Sequence, residues 1–155
     1  MGRYIEEILQ PDEKVLYSTT IHWIVYLPGI LTWIAAIFFF ALQRGAVSDG
    51  ANVVWIALSG LLALIAAYWT LRAWFRRWTN ETDVTNRRVV HKEGFIQRQT
   101  FEMNLDKVES VDVRQSIPAR IFGYGDITIR GVGEGDKDIK MIASPLQFRN
   151  HITAR

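Results

Sequence analysis

Two long apolar runs constrain this chain more than anything else in it. The first, IHWIVYLPGILTWIAAIFFFAL from Ile21 to Leu42, contains no Lys, Arg, Asp or Glu, and the second, VVWIALSGLLALIAAYWTLRAWF from Val53 to Phe75, contains only Arg72. Each is close to the roughly 20 residues that a helix needs to cross the hydrocarbon core of a bilayer. Neither has a polar face to turn toward water, as a helix on the surface of a soluble protein must. Trp23 and Tyr26 flank the start of the first run, and Trp69, Trp74 and Trp78 the end of the second, where amphipathic rings gather at membrane interfaces. Arg72 is close enough to that end to snorkel. The expectation is a transmembrane hairpin over residues 21–75, with spans at 21–42 and 53–75.

Orientation follows from charge. The linker Gln43–Asn52 holds one basic residue, Arg44, whereas Arg72, Arg76, Arg77, Arg87 and Arg88 follow the second run closely. By the positive-inside rule the arginine side is cytoplasmic, so both termini are expected there and Ser48, in the linker, outside. The first run is too long and too far from the N-terminus for a signal peptide, and Glu6 stands where a myristoylation signal wants Ser or Thr. Ser59, Ala63 and Ala67, with Gly60 beside them, form a small-residue stripe on which the first helix, or alternatively a second copy, is expected to pack.

After Phe75 the chain changes character. Phe101, Met103 and Leu105, Val111 and Val113, Ile127 and Ile129, and Ile139, Met141 and Ala143 alternate with polar residues, the pattern of half-buried strands. Gly94 in KEGF and the stretch Gly131–Asp136 read as reversals. Ser144 as N-cap, Pro145 at the first helical position and Gln147 three residues after the cap start a short C-terminal helix. The expected fold class is α+β: the hairpin, then a small antiparallel sandwich or barrel over 79–155 closed by that helix. In residues 1–20, a turn of helix at YIEEIL, a break at Gln10-Pro11-Asp12 and the extended EKVLYSTTIHW give a strand placed to join the cytoplasmic sheet.

From Asp83 to Gly131 four motifs follow in order: Val84-Thr85-Asn86-Arg87-Arg88; a turn at Gly94 with Arg98 beyond it; LDKVESVDVRQS from Leu105 to Ser116; and RIFGYGDITI from Arg120 to Ile129. In this order the series resembles the bacterial membrane-flanked pleckstrin-homology-like family, the bPH2 or DUF304 group. Pro118-Ala119 before Arg120 departs from the family pattern, where Gly is common. The resemblance implies a PH-like sandwich at the bacterial inner membrane. Turn chemistry accounts for Asn86, Gly123, Tyr124 and Gly125 as structural residues: Asn bonds nearby backbone, and two glycines bracket the aromatic where the chain must bend.

Catalysis finds no support. The chain has no cysteine, and His22, His91 and His151 stand in separate elements. No HExxH or GxSxG occurs, GVGEGD lacks the third glycine and the following helix of a phosphate loop, and Glu109 and Asp112 share a strand where they reach solvent or a basic neighbour. No metal, cofactor, nucleic acid or small-molecule substrate is expected. Two binding classes remain: a non-catalytic module working through a membrane-protein partner or self-assembly, and a module whose Arg76, Arg77, Arg87, Arg88 and Lys92 contact anionic headgroups of the bilayer.

Overall fold

The protein divides into two compact units in a computed structural model: Met1–His22 together with Arg76–Arg155, and the intervening Trp23–Phe75. The structure describes residues 4–45, 49–94, 98–133 and 135–153. Parts of three expected loops lie outside the described residues: 46–48 with Ser48, Phe95 after Gly94, and Glu134. In chain order the elements are α1 (Tyr4–Ile8), β1 (Val15–Thr19), α2 (Leu27–Leu42), α3 (Asp49–Thr79), β2 (Glu81–Thr85), β3 (Arg88–Glu93), β4 (Gln99–Asn104), β5 (Val108–Arg114), α4 (Ile117–Phe122), β6 (Tyr124–Gly131), β7 (Gly135–Ala143) and α5 (Pro145–Thr153). The class is α+β, with two long apolar helices and two antiparallel sheets.

Within Trp23–Phe75, α2 and α3 run antiparallel. An ideal Cβ on Gly29 would lie 2.8 Å from Thr70 Oγ1, Trp33 Nε1 donates to that same oxygen at 3.2 Å, and Phe39 stacks on Trp55. The buried small residues of α3 are Ser59, Ala66 and Ala73, spaced by seven, with Ala63 half-buried and Gly60 and Ala67 exposed. The sequence stripe at spacing four is thus replaced by one at spacing seven, because two helices that stay in contact follow a 3.5-residue repeat. The long helix α3 runs on past Phe75 and stops at Asn80, whose side-chain amide donates to Arg76 O at 2.6 Å.

The other unit is a two-sheet sandwich. One sheet has the order β1-β2-β3-β4 and the other β5-β6-β7, all neighbours antiparallel. After β1 the chain crosses between them: Ala143 N donates to Thr20 O, His22 N donates to Met141 O at 2.7 Å, and Ile21 bridges Ile142. Val84, Val89, Met103, Ile127, Ile129 and Ile139 fill the space between the sheets, and Phe148 and Ile152 of α5 close one end. Because β2 and β3 are buried on both faces, their residues do not alternate. The outer face of this pair lies under α1, where Ile5 is buried and Tyr4 N donates to Glu81 Oε2 at 2.9 Å.

Two local features depart from the sequence reading. In β7 the buried pair is Ile139 and Ile142, not Ile139, Met141 and Ala143. A bulge at Met141, with φ of 59°, shifts the register there, and Asp126 Oδ1 accepts from its N–H at 2.8 Å. One extra residue moves every later side chain to the opposite face. The second is α4, a helix not foreseen: Ser116 Oγ caps it by accepting from Ala119 N, and Gly123, at φ of 77°, ends it in the left-handed region. At the C-terminus α5 starts at Pro145 as expected, but Gln147 Oε1 accepts from Tyr17 OH at 3.3 Å, tying α5 to β1.

The two glycines around Tyr124 have different physical reasons. Gly123 needs its φ and has open space around it, whereas a Cβ on Gly125 would meet Gln115 Cγ at 2.7 Å and Arg114 O at 2.9 Å. Gly123→Ala should therefore cost about 1 kcal/mol for left-handed backbone, and Gly125→Val about 3 kcal/mol for overpacking against backbone. Thermal melts of the solubilised full chain measure both, and an unchanged melting temperature for Gly125→Val would contradict the close approach.

Candidate functional site

Most of the basic residues singled out in the sequence meet the chain's own N-terminal segment. Arg88, at the start of β3, sends Nε to Glu13 Oε1 at 3.0 Å and Nη2 to Glu13 Oε2 at 2.9 Å, a two-pronged ion pair in which the Glu13 side chain is 0% exposed. Its Nη2 also reaches Ile8 O, and its Nη1 reaches Glu102 Oε2 at 2.7 Å. Thr85 Oγ1 donates to Glu13 Oε1 at 2.7 Å, and Gln10 N–H donates to the other oxygen. Burial pushes the Glu13 pKa up, but the hydrogen bonds from Gln10, Arg88 and Thr85 outweigh it and hold the carboxyl below its ordinary range. Burial likewise pulls Arg88 down, and its Glu13 and Glu102 partners outweigh that to raise it.

The rest of the Thr85–Arg88 motif serves the same arm. Asn86 accepts from Lys14 N at 2.9 Å through Oδ1, donates from Nδ2 to Asp12 O, and gives its own N–H to Lys14 O. Arg87 Nη1 donates to Gln10 Oε1 at 3.3 Å, and Lys92 Nζ stands 4.7 Å from the centre of the Tyr4 ring. Arg88 has its donors taken up by Glu13, the Ile8 carbonyl and Glu102. Arg87 stays exposed and Lys92 half-buried, while Arg76 and Arg77 are exposed at the end of α3. The signal that would have found this clamp is Glu13 itself, an acidic residue just before a strand.

A cleft of about 510 Å³ lies in the same unit, lined by Arg76, Asn80, Thr82, His91, Glu93 and Lys140 among others. His91 is buried on β3; its Nδ1 is 2.7 Å from Thr82 Oγ1 and its Nε2 3.6 Å from Glu93 Oε2, while Glu93 Oε1 accepts from Lys137 Nζ at 3.1 Å. Hydroxyl, imidazole and carboxylate in a row have the composition of a catalytic triad. Thr82, however, is only 2% exposed within the sheet, and Glu93 is held by Lys137. Burial, with Lys137 nearby, lowers the His91 pKa against the opposing pull of Glu93. The other acid pair of the sequence divides: Glu109 is exposed and Asp112 bonds Arg130 at 3.0 Å. Among the described residues no three His, Asp or Glu gather as a metal site.

Tyr124 closes the site region. Its ring stacks on His22 at 5.4 Å between centroids, and its carbonyl accepts from Gln115 Nε2 at 2.7 Å. A family model described as bacterial PH domain matches residues 21–155. No curated protein and no solved structure matches the chain.

Breaking the clamp from one side should be costly. Arg88→Met leaves a buried carboxylate without its cation and is expected to destabilise the sandwich unit by about 3 kcal/mol, with part of that loss recovered in the double variant Glu13→Leu/Arg88→Met. Denaturant titration of the solubilised full chain reads both. The His91 shift carries its own pH dependence. The unfolded imidazole binds protons near 6.5 while the folded one resists, so stability is full above that value and falls as pH drops below it. The melting temperature should decline between about pH 7.5 and about pH 5.5, above the range where Glu13 titrates, and His91→Gln should flatten that slope.

Proposed function

This chain belongs to the bacterial PH domain family, and on that footing we propose that it is a non-catalytic, membrane-anchored module that acts through protein contacts at the cytoplasmic face of the bacterial inner membrane. The anchor is the α2–α3 pair, with both termini cytoplasmic. Trp23–Leu42 and Gly50–Thr79 have mean hydropathies of 2.2 and 2.0, yet only 17% and 11% of their most apolar windows are buried inside the protein. A core helix pair of a soluble protein would be covered; these side chains need another apolar solvent.

The observation that supports protein contact is the edge of β5, which among the described residues pairs on one side only. It is the outer strand of its sheet, and α5 packs against it. Val108, Val111 and Val113 are only half-buried against the core. An unpaired edge with apolar side chains beside a helix accepts an extended segment by strand addition, with main-chain bonds for affinity and the valines for selection. The segment comes from a membrane-protein partner or a second copy, and a shared membrane raises its effective concentration. Headgroup contact is the second reading, favoured by Arg76 and Arg77, which stay exposed.

A photoreactive side chain at Glu109, exposed on β5, is expected to give a discrete protein adduct in native membranes. Val113→Lys, which blunts an edge with charge, should remove that adduct; because Val113 also packs against the core, the comparison is made below the variant's own melting temperature. An adduct that survives Val113→Lys, or lipid adducts alone, would count against strand addition.

A further inference from the structure

The described surface of the sandwich unit has one concentrated apolar feature, and it is α4. We infer that α4 is a lipid-contacting element, seated in the headgroup and upper acyl region of the bilayer that anchors the chain; this rests on the membrane-anchored reading above. Ile117 is 80% exposed and Ile121 76%, with Phe122 half-exposed beside them, while Ala119 packs inward. Single exposed apolar residues are ordinary. Three of them on a six-residue helix, with exposed Arg114 before it and exposed Arg120 within it, have the composition of an interfacial segment: apolar side chains for the acyl boundary and cations for anionic headgroups.

Position supplies the occupant. Gly123 ends α4, and Tyr124, the next residue, stacks on His22. His22 is covalently followed by Trp23, where the first apolar stretch begins. Ile121 stands three residues from Tyr124, which at about 3.5 Å per residue keeps it within about 11 Å of that stack. The stack is therefore a strut between the point where the chain enters its apolar stretch and α4. An interfacial helix needs to sink only about 5–10 Å into the headgroup and acyl boundary. Arg114 and Arg120 are complementary to an anionic leaflet, whereas α4 itself carries no carboxylate.

The chain has no cysteine, so Ile117→Cys, Ile121→Cys, Ile37→Cys and Lys140→Cys can each carry a nitroxide in the full chain, reconstituted in vesicles containing anionic lipid. Collision with oxygen, which concentrates in the acyl region, is compared with collision with a water-soluble nickel chelate. The expected result is that labels at Ile117 and Ile121 behave like the one at Ile37, severalfold more shielded from nickel than the one at Lys140 and open to oxygen. If nickel reaches Ile117 and Ile121 as it reaches Lys140 while Ile37 stays shielded, α4 faces water and the inference is overturned with the anchor intact. If Ile37 is open to nickel too, the anchored reading fails and takes the inference with it. Shielding of the α4 labels from both reagents marks a protein partner or second copy there, and also overturns it.

Discussion

A carboxylate shut away from water is tolerable only when its charge and lone pairs are met. Glu13 is met by Arg88 through two parallel hydrogen bonds, by Thr85 and by the Gln10 N–H. The two charges stand 75 positions apart, with both apolar helices between them. The rest of the structure depends on this pair in a direct way. It seats the N-terminal arm on the sandwich, so β1 can pair with β2 and the chain beyond β1 can cross to β7. β1 supplies an edge strand of the four-stranded sheet, and α1 covers the outer face of β2 and β3. Most of the contacts that hold the arm therefore close a long loop, whose closure entropy they have to offset.

The arm, Met1–His22, belongs to the same compact unit as Arg76–Arg155. A fragment from Thr79 onward would lack β1 and leave Arg88 without Glu13. The arm is fastened at both ends. Glu81 and Lys92 hold the Tyr4 end, and the β7 bulge and Tyr124 hold the His22 end. That second fastening carries the RIFGYG motif from structure toward function. Gly125 permits close approach to Arg114 O, Gln115 fixes the Tyr124 carbonyl, and Gly123 turns α4 outward from the same point. One motif thus ties the arm to the second sheet and presents an apolar helix on the surface. The proposed strand addition at β5 and the inferred lipid contact at α4 involve neighbouring segments, since Gln115 and Ser116 alone separate them.

The apolar runs, the strand alternation and the order of four motifs were legible in the sequence because each rests on local chemistry: side-chain hydropathy, a period of two, and turn residues. They determined two long apolar helices, an antiparallel sandwich closed by α5, and the bacterial PH domain family. The tertiary structure alone decided where charges went. Basic residues after an apolar run read as a topology signal or a headgroup face, yet Arg88 turns inward to a carboxylate 75 positions away, a partner that no local pattern announces. It also decided the face of Met141, since a bulge depends on Asp126 of the neighbouring strand. The seven-residue stripe Ser59, Ala66 and Ala73 displaced the four-residue one for the same reason. Periodicity says that a face exists; which face is buried depends on what another segment, distant in sequence, brings against it.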